Sequence, residues 1–186
     1  MTPNETEALR LLAVLLHYPD DDLLSRLDEI DPYLDTLPPG EIKTAVAAFV
    51  DHLKTHAPIQ VQERYTAAFD MSPATTLNLT YHAYGDNEKR AAVLARLQRH
   101  YGQAGWERTT GELPDYLPVM LEFLAICPQP AHTAVVWECL QGMPPLVAGL
   151  EKSAPAYAAL LQPLARMAAE RRGPGNGREH PPATSV

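Results

Sequence analysis

The chain opens on a helical rhythm. Leu9, Leu12 and Leu16 recur at intervals of three and four within "NETEALRLLAVLLHYP", which lines one face of an amphipathic helix. Thr2 with Glu5 matches a capping box, and Pro3 suits the first helical position. Tyr18-Pro19 ends the helix, because the residue before proline avoids the α region. Asp20 or Asp21 then caps a short second helix with Leu23, Leu24, Leu27 and Ile30 inward, and "DTLPPGE" reads as a loop. A third helix is predicted from about Glu41 to Thr55, with Ile42, Val46, Phe49 and Leu53 on one stripe. A fourth covers about Ile59 to Phe69 and aligns Val61, Tyr65 and Phe69.

The segment "MSPATTLNLTYHAYGDN" fits two periods. Leu77, Leu79 and Tyr81 alternate like a strand, whereas Leu77, Tyr81 and Tyr84 sit at helical spacing. No other segment offers a partner strand, and a lone strand is not stable, so the helical reading is preferred. Asn87 caps a helix over about Glu88 to Tyr101. In "GELPDYLPVMLEFLA" Asp115 is expected at an N-cap, with Tyr116, Leu117 and Pro118 as the first three helical residues. Pro118 loses nothing there, since the first helical N–H groups have no intrahelical acceptor. A helix over about Ala131 to Gln141, a broken "GMPPL" and a last helix over about Pro155 to Arg172 complete the pattern. The expected fold is all-α: one domain of roughly seven to nine helices over residues 1–172, with a disordered tail over 173–186 by composition.

Composition narrows the class. Apolar residues make up 46% of the 186, enough for one sizeable core. Two cysteines, Cys127 and Cys139, are too few for a disulfide scaffold and fit a reducing compartment. The first residues carry Glu5 and Glu7 where a secretory signal wants basic ones. Apolar runs reach about six residues, far short of the ~20 a membrane helix needs. The reading is a soluble, cytoplasmic protein with no membrane insertion.

The net charge of -8 is localised. Residues 1–42 hold ten acids against Arg10 and Arg26, and the remaining chain holds thirteen charges of each sign. Nucleic acid is disfavoured as a partner, because phosphates need a basic face. A basic partner is attracted at long range.

Catalytic signals are weak. His52 and His56 have a zinc-compatible i, i+4 spacing, but Leu53 stands where a zincin motif needs glutamate, and no third ligand is near in sequence. A metal-dependent helical hydrolase built on that pair is the rival of another class. Phosphate-loop, nucleophile-elbow and dinucleotide fingerprints are absent. Glu112 and Asp115 could form an acid pair, but capping accounts for Asp115 without a substrate. Tyr18, Tyr65, Tyr81, Tyr84 and Tyr116 lie near loop breaks or on apolar stripes. Tyrosine pairs a large apolar face with a polar tip, which suits peptide recognition, and with Phe69, Leu77 and Met120 the set could line a groove.

At "FDMSPATTLNLTYHAYGD" and "GELPDYLPVMLEFLA" the chain resembles the NarJ-type delta-subunit assembly chaperones of respiratory nitrate reductase. These belong to a wider all-helical group with TorD-like and DmsD-like members. "LLHYPDDDLL" fits the family's opening, and the resemblance covers roughly residues 5–165. Glu112, Pro114 and Asp115 map onto an E-P-x-D-H-like motif, with Leu113 inserted and Tyr116 in the histidine's place. The resemblance implies no catalysis and no cofactor of its own. It implies binding to the N-terminal peptide of the apo catalytic (alpha) subunit until molybdenum cofactor is inserted, and delayed membrane attachment. A sister chaperone for another molybdenum oxidoreductase is the near alternative, and monomer and helix-exchanged dimer both stay open. The expected peptide groove is lined by Tyr65, Phe69, Leu77, Tyr81, Met120 and Leu121, with Asp70, Asp86, Glu112 and Asp115 on its rim.

Overall fold

The computed structural model describes residues 2–107 and 111–171; the predicted tail over 173–186 lies outside them. Among the described residues the chain forms eleven α-helices: α1 Pro3–Leu15, α2 Asp21–Ser25, α3 Asp31–Thr36, α4 Glu41–Lys54, α5 Pro58–Tyr65, α6 Leu79–Tyr84, α7 Glu88–Gln103, α8 Leu117–Ile126, α9 Pro130–Leu140, α10 Pro144–Ser153 and α11 Pro155–Glu170. One isolated antiparallel bridge, Asn78 to Tyr116, is the sole β pairing among them. The all-α expectation holds. The chain is more segmented than expected, because the second predicted helix divides into α2, a 3₁₀ turn at Leu27–Ile30 and α3.

Proline explains much of the segmentation. Seven of the eleven helices carry proline at one of their first two positions, where no intrahelical N–H is lost and φ is already set. Proline therefore starts helices in this chain more often than it breaks them. The expectation of a broken "GMPPL" fails for that reason: Pro144 and Pro145 open α10. Pro163 lies inside α11, which continues to Glu170.

The predicted capping box at α1 is present: Glu5 N–H donates to Thr2 Oγ1 at 3.2 Å and Thr2 N–H to Glu5 Oε2 at 2.8 Å. Leu9, Leu12 and Leu16 are fully buried, as their spacing predicts. Each buried leucine contributes about 1.5–3 kcal/mol relative to exposure. α1 packs on α8, α4 and α10 pack on α11, and α7 packs on α9. α8 is apolar apart from the exposed Glu122: eight of its ten residues are buried, so it is the central helix of one continuous core.

Candidate functional site

The two segments carrying the family resemblance meet in space. α5 runs into a π turn at Thr66–Asp70, closed by Met71 N–H donating to Thr66 O at 3.0 Å. The wider turn leaves Phe69 buried against Tyr65 and Tyr157, with ring centroids 4.8 Å away in both cases. Asp70 and Met71 are turned outward, and Met71 is 76% exposed. Such π turns concentrate at functional sites. A 3₁₀ turn at Pro73–Thr75 follows, held by the Thr75 hydroxyl donating to the Ala68 carbonyl. The chain then passes beside the start of α8: Leu79 N–H donates to Asp115 O at 3.0 Å, and Leu117 N–H to Leu77 O at 2.9 Å.

Asp115 sits at this crossing, fully buried. Its Oδ2 accepts from the Thr80 amide at 3.2 Å and the Thr80 hydroxyl at 2.5 Å. Arg90 Nη2 lies 3.5 Å from the same oxygen. The Arg90 guanidinium also donates from Nε to Thr80 Oγ1 at 3.2 Å and from Nη1 to Asp86 Oδ1 at 2.9 Å, and it lies over the Tyr81 ring. Asp115 is thus not the cap of α8; Tyr116 holds that position and caps with no side-chain hydrogen bond. Asp115 instead satisfies an orphan N–H at the first turn of α6, whose own N-cap residue, Asn78, makes no side-chain cap bond.

Two tyrosines tie the crossing to its neighbours. The Tyr65 hydroxyl donates to Leu16 O at 3.0 Å and lies 3.2 Å from the Tyr116 hydroxyl. Burial raises the pKa of both phenols, so both stay neutral hydrogen-bonding groups. The Tyr101 hydroxyl donates to Pro114 O at 2.8 Å, fixing the buried proline. Tyr18 is 46% exposed and meets Tyr65 edge-on at 5.5 Å. Tyr84 and Tyr116 are half-buried, while Asp86 and Glu112 are exposed.

The predicted open groove requires correction. Leu77 is 2% exposed, and Met120 and Leu121 are closed completely. Met120 and Leu121 face the core because α8 is buried at all but its Glu122 and Ile126 positions, and Leu77 lies beside the start of that helix. Tyr65 is likewise interior. What remains open is a cleft of about 310 Å³ walled by Phe69, Asp70, Ser72, Pro73, Thr76, Asn78, Tyr81, Arg90 and Leu113. Leu113 is 41% exposed at its edge. The rim changes too: Asp86 is paired with Arg90 and Asp115 is buried, which leaves Asp70 as the rim acid lining the cleft.

Sequence reasoning missed Arg90, Thr80 and Asn78. The i, i+4 spacing of Asp86 and Arg90 was a readable sign of an ion pair. The Asn78 side-chain oxygen is buried with no hydrogen-bond partner, and Asn78 lines the cleft. That oxygen is a buried acceptor behind the cleft wall, not a group the cleft presents.

The rival site gains no ligands. The His52 and His56 rings lie 4.3 Å apart, and His56 Nδ1 donates to His52 O at 2.7 Å, which occupies that nitrogen. No cluster of three or more His, Cys, Asp or Glu residues suited to a metal occurs among the described residues. Burial pushes the Cys139 thiol up to about 12, away from nucleophilic character. No helix among the described residues is long and apolar enough to cross a membrane.

Comparisons with known proteins bear on this geometry. Residues 37–141 match the family model described as nitrate reductase delta subunit. The chain is 32% identical to the Bacillus subtilis protein described as a probable nitrate reductase molybdenum cofactor assembly chaperone NarJ, over 82% of this chain and 83% of the relative. It is 31% identical to the Escherichia coli K12 chaperone of that name, over 86% of this chain and 69% of the relative. A crystal structure of a protein described as a redox enzyme maturation protein from Archaeoglobus fulgidus superposes with a TM-score of 0.63 at 21% identity, covering 87% of this chain and 92% of that one. That likeness establishes a shared helical fold. The matched span contains the whole α5-to-α9 segment that builds the crossing of Asp115 and Thr80, and the chain belongs to the nitrate reductase delta subunit family.

Proposed function

We propose that this protein is an assembly chaperone in the cytoplasm for a respiratory nitrate reductase. It holds the N-terminal segment of the apo catalytic subunit until molybdenum cofactor is inserted, and so delays membrane attachment of the immature enzyme. The observation that carries this reading is the match over more than four-fifths of both chains to a relative described as such a chaperone.

The cleft supports a place for the segment. Leu113 lines the cleft and is exposed, the exposed Met71 stands in the chain between the lining residues Asp70 and Ser72, and Asp70 supplies negative charge on the wall. An amphipathic segment would set an apolar side chain between Leu113 and Tyr81 and a Lys or Arg against Asp70. A cleft of about 310 Å³ admits only a few side chains, which keeps the complex reversible, as a chaperone that must release its client requires.

The experiment is co-purification from cells blocked in molybdenum cofactor synthesis. The apo catalytic subunit is expected to accumulate on this protein there and to dissociate when synthesis is restored. A catalytic subunit that never co-purifies, in either state, would end the reading.

A further inference from the structure

The chain carries five methionines and two cysteines, and one of these sulfurs is placed unlike the rest. Met120 and Met143 are closed from solvent, and Cys127 is buried. Met167 is half-buried and packs on the core. Cys139 is half-buried too, and burial pushes its thiol up to about 12, so at neutral pH it is not the thiolate that oxidants attack. Met1 lies outside the described residues. Met71 is 76% exposed, more than any other large apolar side chain among the described residues.

The local backbone puts it there. Met71 closes the π turn at Thr66–Asp70 through its N–H, which donates to Thr66 O at 3.0 Å. Phe69, two residues earlier, is turned into the core, and Met71 is turned out of it. The turn thus uses the backbone of Met71 and not its side chain, so chemistry at the sulfur leaves the fold intact. Asp70 and Ser72, its neighbours in the chain, both line the cleft. The exposed thioether is therefore carried on the segment that builds the cleft wall.

A thioether needs no ionisation to react. Its sulfur lone pair attacks one oxygen of hydrogen peroxide: an S–O bond forms, the O–O bond breaks, and the other oxygen leaves as water after taking up the proton of the transferred one. The sulfur is oxidised to the sulfoxide and the peroxide is reduced. The product is polar where the thioether was apolar, and methionine sulfoxide reductases reverse it. Burial protects Met120 and Met143 from the same reaction while the chain is folded.

We infer that Met71 is a reversible oxidation site through which peroxide weakens the hold of the cleft on its client segment. The effect on affinity rests on the reading of the cleft as the seat of that segment; the selective oxidation of Met71 does not.

The test treats the folded full chain with limiting hydrogen peroxide and maps the added oxygen residue by residue by mass spectrometry. Sulfoxide is expected at Met71 ahead of Met120, Met143 and Met167, and the chain unfolded in urea is expected to lose that order. Titration calorimetry with a synthetic peptide of the nitrate reductase catalytic subunit's N-terminal segment is then read before and after oxidation. The oxidised wild type is expected to bind about threefold to tenfold more weakly, at an unchanged melting temperature, and methionine sulfoxide reductases are expected to restore the starting Kd. Met71→Leu lacks the sulfur and is expected to show one Kd before and after peroxide. Oxidation of Met120, Met143 or Met167 ahead of Met71 would overturn the site. An unchanged Kd after oxidation of Met71, or an equal loss in peroxide-treated Met71→Leu, would overturn its effect on binding. An unoxidised wild type that binds no peptide would overturn that effect through the cleft reading itself, and the mass map would still decide the oxidation site.

Discussion

Asp115 Oδ2 accepts hydrogen bonds from both the amide and the hydroxyl of Thr80, at 3.2 and 2.5 Å, across 35 residues of chain. One carboxylate therefore caps a helix other than its own and joins the two segments that carry the family resemblance. Arg90, with 11% of its side chain exposed, closes the arrangement on the same oxygen.

Asp115→Ala is expected to destabilise the protein strongly, by about 3–5 kcal/mol, because it leaves a nearly buried guanidinium without its interior partner and the first turn of α6 uncapped. Asp115→Asn keeps an acceptor for the Thr80 amide and is expected to cost less. Chemical denaturation of the two variants checks the order. Equal stability of Asp115→Ala and wild type would remove the structural role.

Gly149 places α10 against the turn below the cleft. A Cβ there would meet Thr75 Cγ2 at 2.8 Å and Ala74 O at 3.3 Å. Gly149→Ala is expected to cost about 1–3 kcal/mol from overpacking, partly offset by better helix propensity. Thr75→Ser removes the clashing methyl and retains the hydroxyl that bonds Ala68 O. The double variant is expected to recover part of the loss, and additive costs in a double-mutant cycle would refute the contact.

Phe69 and Leu113 separate folding from binding. Phe69 is 6% exposed and packs on Tyr65 and Tyr157, so Phe69→Ala is expected to cost about 3–5 kcal/mol of stability. Leu113→Ser at an exposed position is expected to leave the melting temperature within a degree or two while weakening client-peptide binding. The reverse pattern in thermal melts would reassign both residues.

The helices were legible where burial follows a simple period. Leu9, Leu12 and Leu16 predict the buried face of α1, and Val46, Phe49 and Leu53 that of α4. The site was legible as two segments and illegible as a surface. Met120 and Leu121 have the same chemistry whether they face a groove or the core, and only the neighbours of α8 decide between them. Asp115 has cap chemistry, but the helix it caps is distant in sequence. The 77–79 segment satisfied both periods because it does both: Leu77 and Leu79 make the backbone bonds flanking one bridge, and Leu79 then opens α6.

His100 links stability to pH. Burial, then Arg96, then His132 hold its pKa below 6.5, and its Nδ1 is buried without a partner. The unfolded chain therefore binds a proton more readily than the folded one, so this contribution to stability falls as pH drops through 6.5 and below. His52 acts in the same direction through burial first. The midpoint of urea unfolding is expected to fall between neutral pH and pH ~5.5, and His100→Gln is expected to lessen that fall. An unchanged pH slope in His100→Gln would exclude His100 as a source.

The most direct measurement is titration calorimetry of the full chain with a synthetic peptide of the nitrate reductase catalytic subunit's N-terminal segment, in wild type and in Met71→Ser/Leu113→Ser. The account predicts one-to-one binding between micromolar and nanomolar Kd, weakened at least about tenfold in the double variant. No binding by the folded wild type would contradict the chaperone reading, and wild-type affinity in the double variant would contradict the cleft.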